Sequence, residues 1–191
     1  MGQIMKYHEH PQRYYWDQMA NDYATSTTAE FLYEIGQQVN MKYDADGSSS
    51  NINKALDAFQ NYFGYSAAQK ISHSSIKVIG ELNKNTPVYM RGSESITEGH
   101  AWVCDGYYDI TVSDEYAVYI LEDTYGAGEP TGMTYIDSAS GPILASTTAF
   151  HMNWGWNNHD GYFYNDDVEI KDAGYNFSKY RKDIINLYPT N

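Results

Sequence analysis

Hydrophobic residues recur at helical spacing in the first half of the chain. Between residues 28 and 40, and again between 51 and 62, apolar side chains return every three or four positions. This spacing places them on one side of a helix, where they can pack against a core. We predict four helices, which cover residues 1–7, 28–40, 51–62 and 74–83.

After Pro87 the pattern changes to short runs of aromatic and β-branched residues, which are typical of strands. The predicted strands cover residues 88–90, 101–107, 116–121, 150–154, 162–164 and 184–187. We predict loops at 47–50 and at 123–147, the second with a short strand at 133–136. Helices followed by a mostly antiparallel sheet predict an α+β fold.

Acidic residues outnumber basic residues along the whole chain. There are 25 Asp and Glu residues against 12 Lys and Arg residues, which gives a net charge of -13. A surface that binds nucleic acid needs clustered basic residues, so we expect no nucleic-acid partner. The chain has no apolar run long enough to span a membrane, and its first residues are not those of a signal peptide. We therefore expect no membrane partner.

Two segments join a polar residue to an apolar run. His100 follows Gly99 at the start of one predicted strand, and Asn153 precedes Trp154 at the end of another. A cysteine peptidase needs a thiolate, a histidine base and a group that orients the imidazole. If the strands are neighbours, Asn153 could accept a hydrogen bond from His100, while Trp154 shields that bond from water. Gly99 and Trp156 are candidates for the substrate cleft. These residues by themselves are also consistent with a purely structural role for His100.

The single cysteine of the chain, Cys104, is not expected to be a nucleophile. It lies on the same predicted strand as His100, four positions later. At about 3.3 Å per residue the two residues are roughly 13 Å apart, whereas a Cys–His pair needs about 3.5 Å or less. We predict that Cys104 is a small buried apolar residue.

The sequence signals for a metal or cofactor site are weak. The candidate metal ligands are His8 with His10, Asp44 with Asp46, and His151 with His159. None of these pairs is completed by further ligands at a recognised spacing. Glycine-rich phosphate loops are absent from the sequence. We therefore expect neither a metal nor a cofactor.

Short sequence blocks over nearly the whole chain form a series. They lie at residues 1–8, 15–19, 36–48, 55–56 with 62–65, 81–82 with 87–88, 99–107, 153–156 and 160–163, and include Ile-Met-Lys-Tyr-His, Gly-His-Ala-Trp-Val and Asn-Trp-Gly-Trp. Together they resemble the streptopain family of bacterial papain-like cysteine peptidases, which contains the streptococcal pyrogenic exotoxin B. The resemblance implies His100 as general base and Trp154 as the tryptophan of the site. Asn153 is our candidate for the orienting residue.

The resemblance also implies a papain-like fold in a single peptidase domain over residues 1–191. We expect a mainly helical part at 1–86, packed against a mainly sheet part at 87–191, with an insertion at about 108–149. That insertion could form a lid or an extra hairpin over the cleft, or be an inert elaboration. The implied substrate is a protein or peptide, and the implied location is extracellular or periplasmic.

One departure from the family concerns the nucleophile. In the family it lies in a Gly-Cys-Val-Ala-Thr-Ala-like stretch immediately ahead of the residues that match Met1, and residues 1–191 contain no such stretch. We therefore expect an N-terminally truncated cysteine peptidase domain that is inactive as given. One alternative is a non-catalytic module that binds peptide or glycan. Another is a chain that self-associates, or that receives the missing segment from a second chain.

Overall fold

The computed structural model describes residues 1–21, 23–45, 47–95, 98–122, 132–156, 159–164 and 166–190, with the backbone alone at 119–122, 132–134 and 136. Its α-helices are α1 (Gly2–His8), α2 (Ser26–Gln38), α3 (Ile52–Asn61) and α4 (Ser75–Leu82). The four predicted helices are confirmed to within two residues at each end. Side-chain caps fix two of the starts: Thr25 Oγ1 accepts from Thr28 N at 3.0 Å, and Asn51 Oδ1 accepts from Lys54 N at 3.1 Å.

The strands are β1 (Lys42–Asp44), β2 (Gly47–Ser49), β3 (Gln69–Ser72), β4 (Val88–Ser93), β5 (Gly99–Glu122), β6 (Gly132–Asn153), β7 (Gly161–Tyr164), β8 (Glu169–Ile170), β9 (Tyr175–Asn176) and β10 (Lys179–Ile185). Six of them form one sheet in the order β3-β10-β4-β5-β6-β7, and all of its pairings are antiparallel. β1 with β2, and β8 with β9, form separate two-stranded sheets. The α+β prediction with a mostly antiparallel sheet is confirmed.

Several details of the strand prediction are wrong. Residues 101–107 and 116–121 are one continuous strand, β5, and residues 132–147 belong to strand β6 instead of a loop. The remainder of that predicted loop, 123–131, lies outside the described residues. Residues 47–49 pair with β1, and β3 was not predicted at all. Many of these segments are exposed on both faces, so the hydrophobic alternation that marks a half-buried strand is absent from them.

Strands β5 and β6 extend well beyond the sheet as a two-stranded ribbon. β4 pairs with β5 only as far as Cys104, and β7 pairs with β6 only as far as Ala149. We call residues 109–122 and 132–148 the β-ribbon; most of its described side chains are exposed. The hairpin starts beside His100 and its strands run away from that residue. The segment that we predict to be an insertion thus contains two paired strands that lead away from His100.

Two hydrophobic clusters cover opposite faces of the sheet. Val103 packs with residues of α1, α2 and α3 in the first cluster, whereas its strand neighbours Trp102 and Cys104 pack in the second, together with Val78 of α4. This is the alternation expected of a strand that is buried on both faces. Among the described helices, not one has the length and hydrophobicity that a membrane span requires.

Candidate active site

His100 lies at the start of β5, and one hydrogen bond fixes its ring. Nε2 lies 2.8 Å from the backbone carbonyl oxygen of Trp154. Because a carbonyl oxygen only accepts, Nε2 must carry the proton. The other ring nitrogen, Nδ1, is then the basic one in the neutral ring. This geometry leaves His100 with one oriented nitrogen that can accept a proton.

Aromatic rings surround the His100 imidazole. The ring of Trp156 is the nearest, with centroids 4.0 Å apart, followed by Phe177 at 5.5 Å and Trp154 at 6.2 Å. Burial lowers the pKa of His100 below its ordinary value, and the hydrogen bond to the Trp154 carbonyl opposes that effect in part. The free imidazole is therefore neutral at physiological pH, which is the state that a general base requires.

Asn153 does not make the predicted hydrogen bond to His100. Its Oδ1 accepts instead from Gln3 Nε2 at 2.5 Å and from Gly155 N at 3.1 Å. The reason is the strand register. Asn153 is paired with Val103, so its side chain lies on the helix-facing side of the sheet, whereas His100 shares the opposite face with Trp102. The carbonyl of the next residue orients the ring, and Asn153 ties α1 to the end of β6.

Trp154 is 2% exposed and packs in the core beside His100. Its ring centroid lies 4.5 Å from that of Trp102. Its backbone N–H donates to Asp160 Oδ1 at 2.7 Å, which anchors the residue whose carbonyl holds the imidazole. Asp160 was not predicted as a site residue, although it opens one of the sequence blocks that carry the family resemblance. The shielding role of Trp154 stays a prediction.

Cys104 is buried, as expected. It is paired with Val88 on one side and Met152 on the other, and it is 0% exposed. Its Sγ points to the Gly106 carbonyl oxygen at 3.8 Å, and burial raises the pKa of the thiol well above its ordinary value. A buried thiol of this kind is unreactive, because the nucleophile is the thiolate.

A cavity of about 640 Å³ lies between the helical part and the sheet at His100. Gly99 and His100 line it from β5, and Met1 and Gly2 line it from the start of α1. Gly99 is thus a cavity residue, whereas Trp156 contacts the His100 ring. The cavity brings the proposed base and the beginning of α1 to one space.

The described part of the chain contains no group of three or more His, Cys, Asp or Glu side chains that could hold a metal. His151 pairs with Asp105 at 2.5 Å, and His159 approaches Asp172 at 3.6 Å. Asp46, the second member of the acidic pair at 44 and 46, lies outside the described residues.

A second polar cluster, which was not predicted, lies away from this cavity. His73 bonds Asp183 through Nδ1 at 2.9 Å and Asp166 through Nε2, while Arg181 holds Asp166 with two hydrogen bonds of 2.8 and 2.9 Å. Burial opposes the charge on His73, but the hydrogen bonds to the two carboxylates outweigh it and raise the pKa of His73 to about 9. The cluster joins β3 and β10 to the turn that follows β7. These residues are up to 110 positions apart, so sequence spacing gave no signal.

Comparison with known proteins identifies the family of the chain. The sequence model of the Peptidase C10 family matches residues 12–164. None of the curated protein sequences matches the chain. A mutant fragment of prointerpain A from Prevotella intermedia has a similar structure, with a TM-score of 0.63 and 19% identity; the match covers 99% of this chain and 61% of that one. At this identity the likeness concerns the fold alone, and this chain spans about three fifths of that fragment. The predicted streptopain resemblance and papain-like α+β fold are confirmed. The chain belongs to the Peptidase C10 family, which is the streptopain family.

Proposed function

We propose that residues 1–191 supply the general-base side of a cysteine peptidase active site. The observation that carries the proposal is the hydrogen bond between His100 Nε2 and the Trp154 carbonyl, 2.8 Å long, beside a cavity. It leaves His100 Nδ1 to take the proton of a thiol. Membership of the Peptidase C10 family supports the same chemistry, with a protein or peptide as substrate.

In the proposed mechanism, a thiol close to α1 meets the base in the cavity. Met1 and Gly2 line the same cavity as His100, so a cysteine carried just ahead of α1 would be near the start of β5, and we propose that its thiol reaches the imidazole there. His100 Nδ1 takes the thiol proton, and the thiolate attacks the carbonyl carbon of the peptide bond. The imidazolium then returns the proton to the departing amine, and water releases the acyl group from sulfur.

We also propose that residues 1–191 by themselves hydrolyse no peptide bond. Their single cysteine, Cys104, is fully buried, and its thiol stays protonated. The test is turnover of casein and of a mixed peptide library, with and without a cysteine-directed inhibitor. Turnover that the inhibitor abolishes would contradict this proposal.

A gain-of-function experiment tests the role of His100. We would add Gly-Cys-Val-Ala-Thr-Ala ahead of Met1, and build a matched control in which the added cysteine is alanine. The cysteine extension should create inhibitor-sensitive hydrolysis that its alanine twin lacks. Replacing His100→Gln in the extended chain should lower the rate by about 100-fold or more, the usual contribution of a general base. Equal rates with and without the imidazole would overturn the assignment, provided that circular dichroism shows both proteins folded.

The cavity supports a second candidate function, a non-catalytic module that binds peptide or glycan. A space of about 640 Å³ with aromatic rings nearby is large enough for several residues of a ligand. Trp156, which lies 4.0 Å from the His100 ring between centroids, should report binding through its fluorescence. Binding without cleavage by the cysteine-extended chain would favour this function over the peptidase.

Two further proposals concern partners and location. If the chain self-associates, light scattering should show a dimer, and a monodisperse monomer would argue against self-association. A different chain that supplies the nucleophile would instead be detected by its binding to residues 1–191. Family membership supports an extracellular or periplasmic location, which fractionation of the producing cells would test.

A further inference from the structure

Arg91 is the one ionised side chain among the described residues that line the cavity at His100. The other lining side chains are apolar, hydroxyl-bearing or amide-bearing, apart from the neutral imidazole itself. This is unusual in a chain with a net charge of -13. Arg91 therefore brings a single positive side-chain charge to the described lining of this cavity.

The position of Arg91 follows from the strand pairing. Arg91 is paired with Ala101 across β4 and β5, and it shares the helix-facing side of the sheet with Tyr89. Its Nη2 lies 3.3 Å from the point that a Cβ on Gly99 would occupy. Because Gly99 has no side chain, the guanidinium fits beside this residue, which directly precedes His100.

The Arg91 guanidinium has unused hydrogen-bonding capacity. Its one described hydrogen bond is long, 3.5 Å from Nη1 to the Tyr180 carbonyl oxygen, and no carboxylate pairs with it within the described part of the chain. The carboxylate of Glu94, near in sequence, accepts from the backbone N–H of Asn176. Burial raises the pKa of Tyr89 to about 12, so the neighbouring phenol is neutral and provides no counter-charge.

We propose that this cavity binds a carboxylate of the peptide ligand and that Arg91 is the specificity-determining residue that holds it. The planar guanidinium can donate two parallel hydrogen bonds to one carboxylate, which an ammonium group cannot do. Asn51 and Ile52 bring the start of α3 to the same cavity, and the positive end of that helix also favours an anion. The inference rests on the proposed function, because it takes the ligand to be a peptide that also reaches His100.

Binding to the 191-residue chain tests the inference without any need for catalysis. The probes are acetylated and amidated alanine hexapeptides with one Glu at the second, third or fourth position, and twins with Gln or Lys there. An alanine hexapeptide with a free carboxyl terminus separates a terminal carboxylate from an acidic side chain. Affinities come from calorimetry or Trp fluorescence, at low and at high salt. The variants are Arg91→Gln, Arg91→Lys and, as a matched charge control outside the cavity, Lys77→Gln.

We expect at least one Glu peptide, or the free-carboxylate peptide, to bind about tenfold or more tightly than its neutral twin. Arg91→Gln should abolish this preference, Arg91→Lys should keep only part of it, and Lys77→Gln should keep all of it. Equal affinities for charged and neutral peptides, an unchanged preference in Arg91→Gln, or no binding of any peptide would overturn the inference. Cleavage by the cysteine-extended chain without a preference for acidic peptides would refute the role of Arg91 in selectivity and leave the peptidase proposal intact. Selective binding without cleavage by the cysteine-extended chain would refute the peptidase proposal alone.

Discussion

At the scale of single residues, the alternation of side chains along a strand determines which partners each candidate residue can reach. Asn153 and Trp154 are adjacent in sequence, yet they face opposite sides of the sheet, and only Trp154 reaches His100, through its carbonyl. From the sequence, both residues were predicted as candidates for the site. The sequence could not supply the register that pairs Asn153 with Val103, because register is set by tertiary pairing of distant strands.

The polar cluster of His73, Asp166, Arg181 and Asp183 leads to a prediction about the pH dependence of stability. In the folded protein the pKa of His73 is raised to about 9, above the ordinary value of 6.5. The stabilisation is therefore fully present below pH 6.5 or so, and is lost as the pH rises through about 9. We expect the free energy of unfolding to fall between these limits by on the order of 2 kcal/mol more in the wild type than in His73→Gln.

Urea unfolding at several pH values measures this difference. The matched control is His159→Gln, because the ion-pair partner of His159 within the described residues is the largely exposed Asp172, 3.6 Å away. That control should follow the pH dependence of the wild type. If His73→Gln also followed the wild-type curve, the two carboxylates would not stabilise a charged His73 in the folded state.

At the scale of secondary-structure elements, the helices were more predictable than the strands. Helices α2 and α3 each bury one stripe and start at a residue whose side chain caps them, so periodicity and caps both mark them. The long β5–β6 hairpin has neither mark over most of its length, because pairs such as Val112 with Ala145 form by backbone bonding while both side chains stay exposed. The two strands are held by hydrogen bonds to each other, and such pairing leaves no local pattern in the sequence.

The β-ribbon should be dispensable for folding. Joining Ile110 to Thr147 through an Asn-Gly turn would close the hairpin at a paired position. The strands β4 and β7 end their pairing nearer the core, at Cys104 and Ala149. We therefore expect a cooperative unfolding transition with a Tm within a few degrees of the full chain, and unchanged peptide binding at the cavity.

Thermal unfolding by circular dichroism checks this expectation against a core variant of the same hairpin. Phe150→Ala removes a ring that is 2% exposed, and it should cost about 3–5 kcal/mol. A shortened chain that is as destabilised as Phe150→Ala would mean that the β-ribbon contributes to the core after all.

At the scale of the whole molecule, the proposed site is assembled from segments that are distant in sequence. β5 contributes His100, the residue after β6 contributes the Trp154 carbonyl, and β4 contributes the proposed ligand-binding Arg91. The sequence blocks predicted the family and the fold, and they made His100 the candidate base, which stays a prediction. They gave no signal for Asp160, which contacts the backbone N–H of Trp154, or for Arg91, which lines the cavity, because only the folded sheet brings these residues near His100.

The ionisation of an added cysteine tests the central claim, that His100 is the base of a cysteine peptidase site. In the chain extended by Gly-Cys-Val-Ala-Thr-Ala, the alkylation rate of the added thiol by iodoacetamide is measured as a function of pH. We predict an apparent thiol pKa at least one unit below the ordinary value of about 8.5, and a return towards that value in His100→Gln. An apparent pKa near 8.5 in both proteins would contradict the claim.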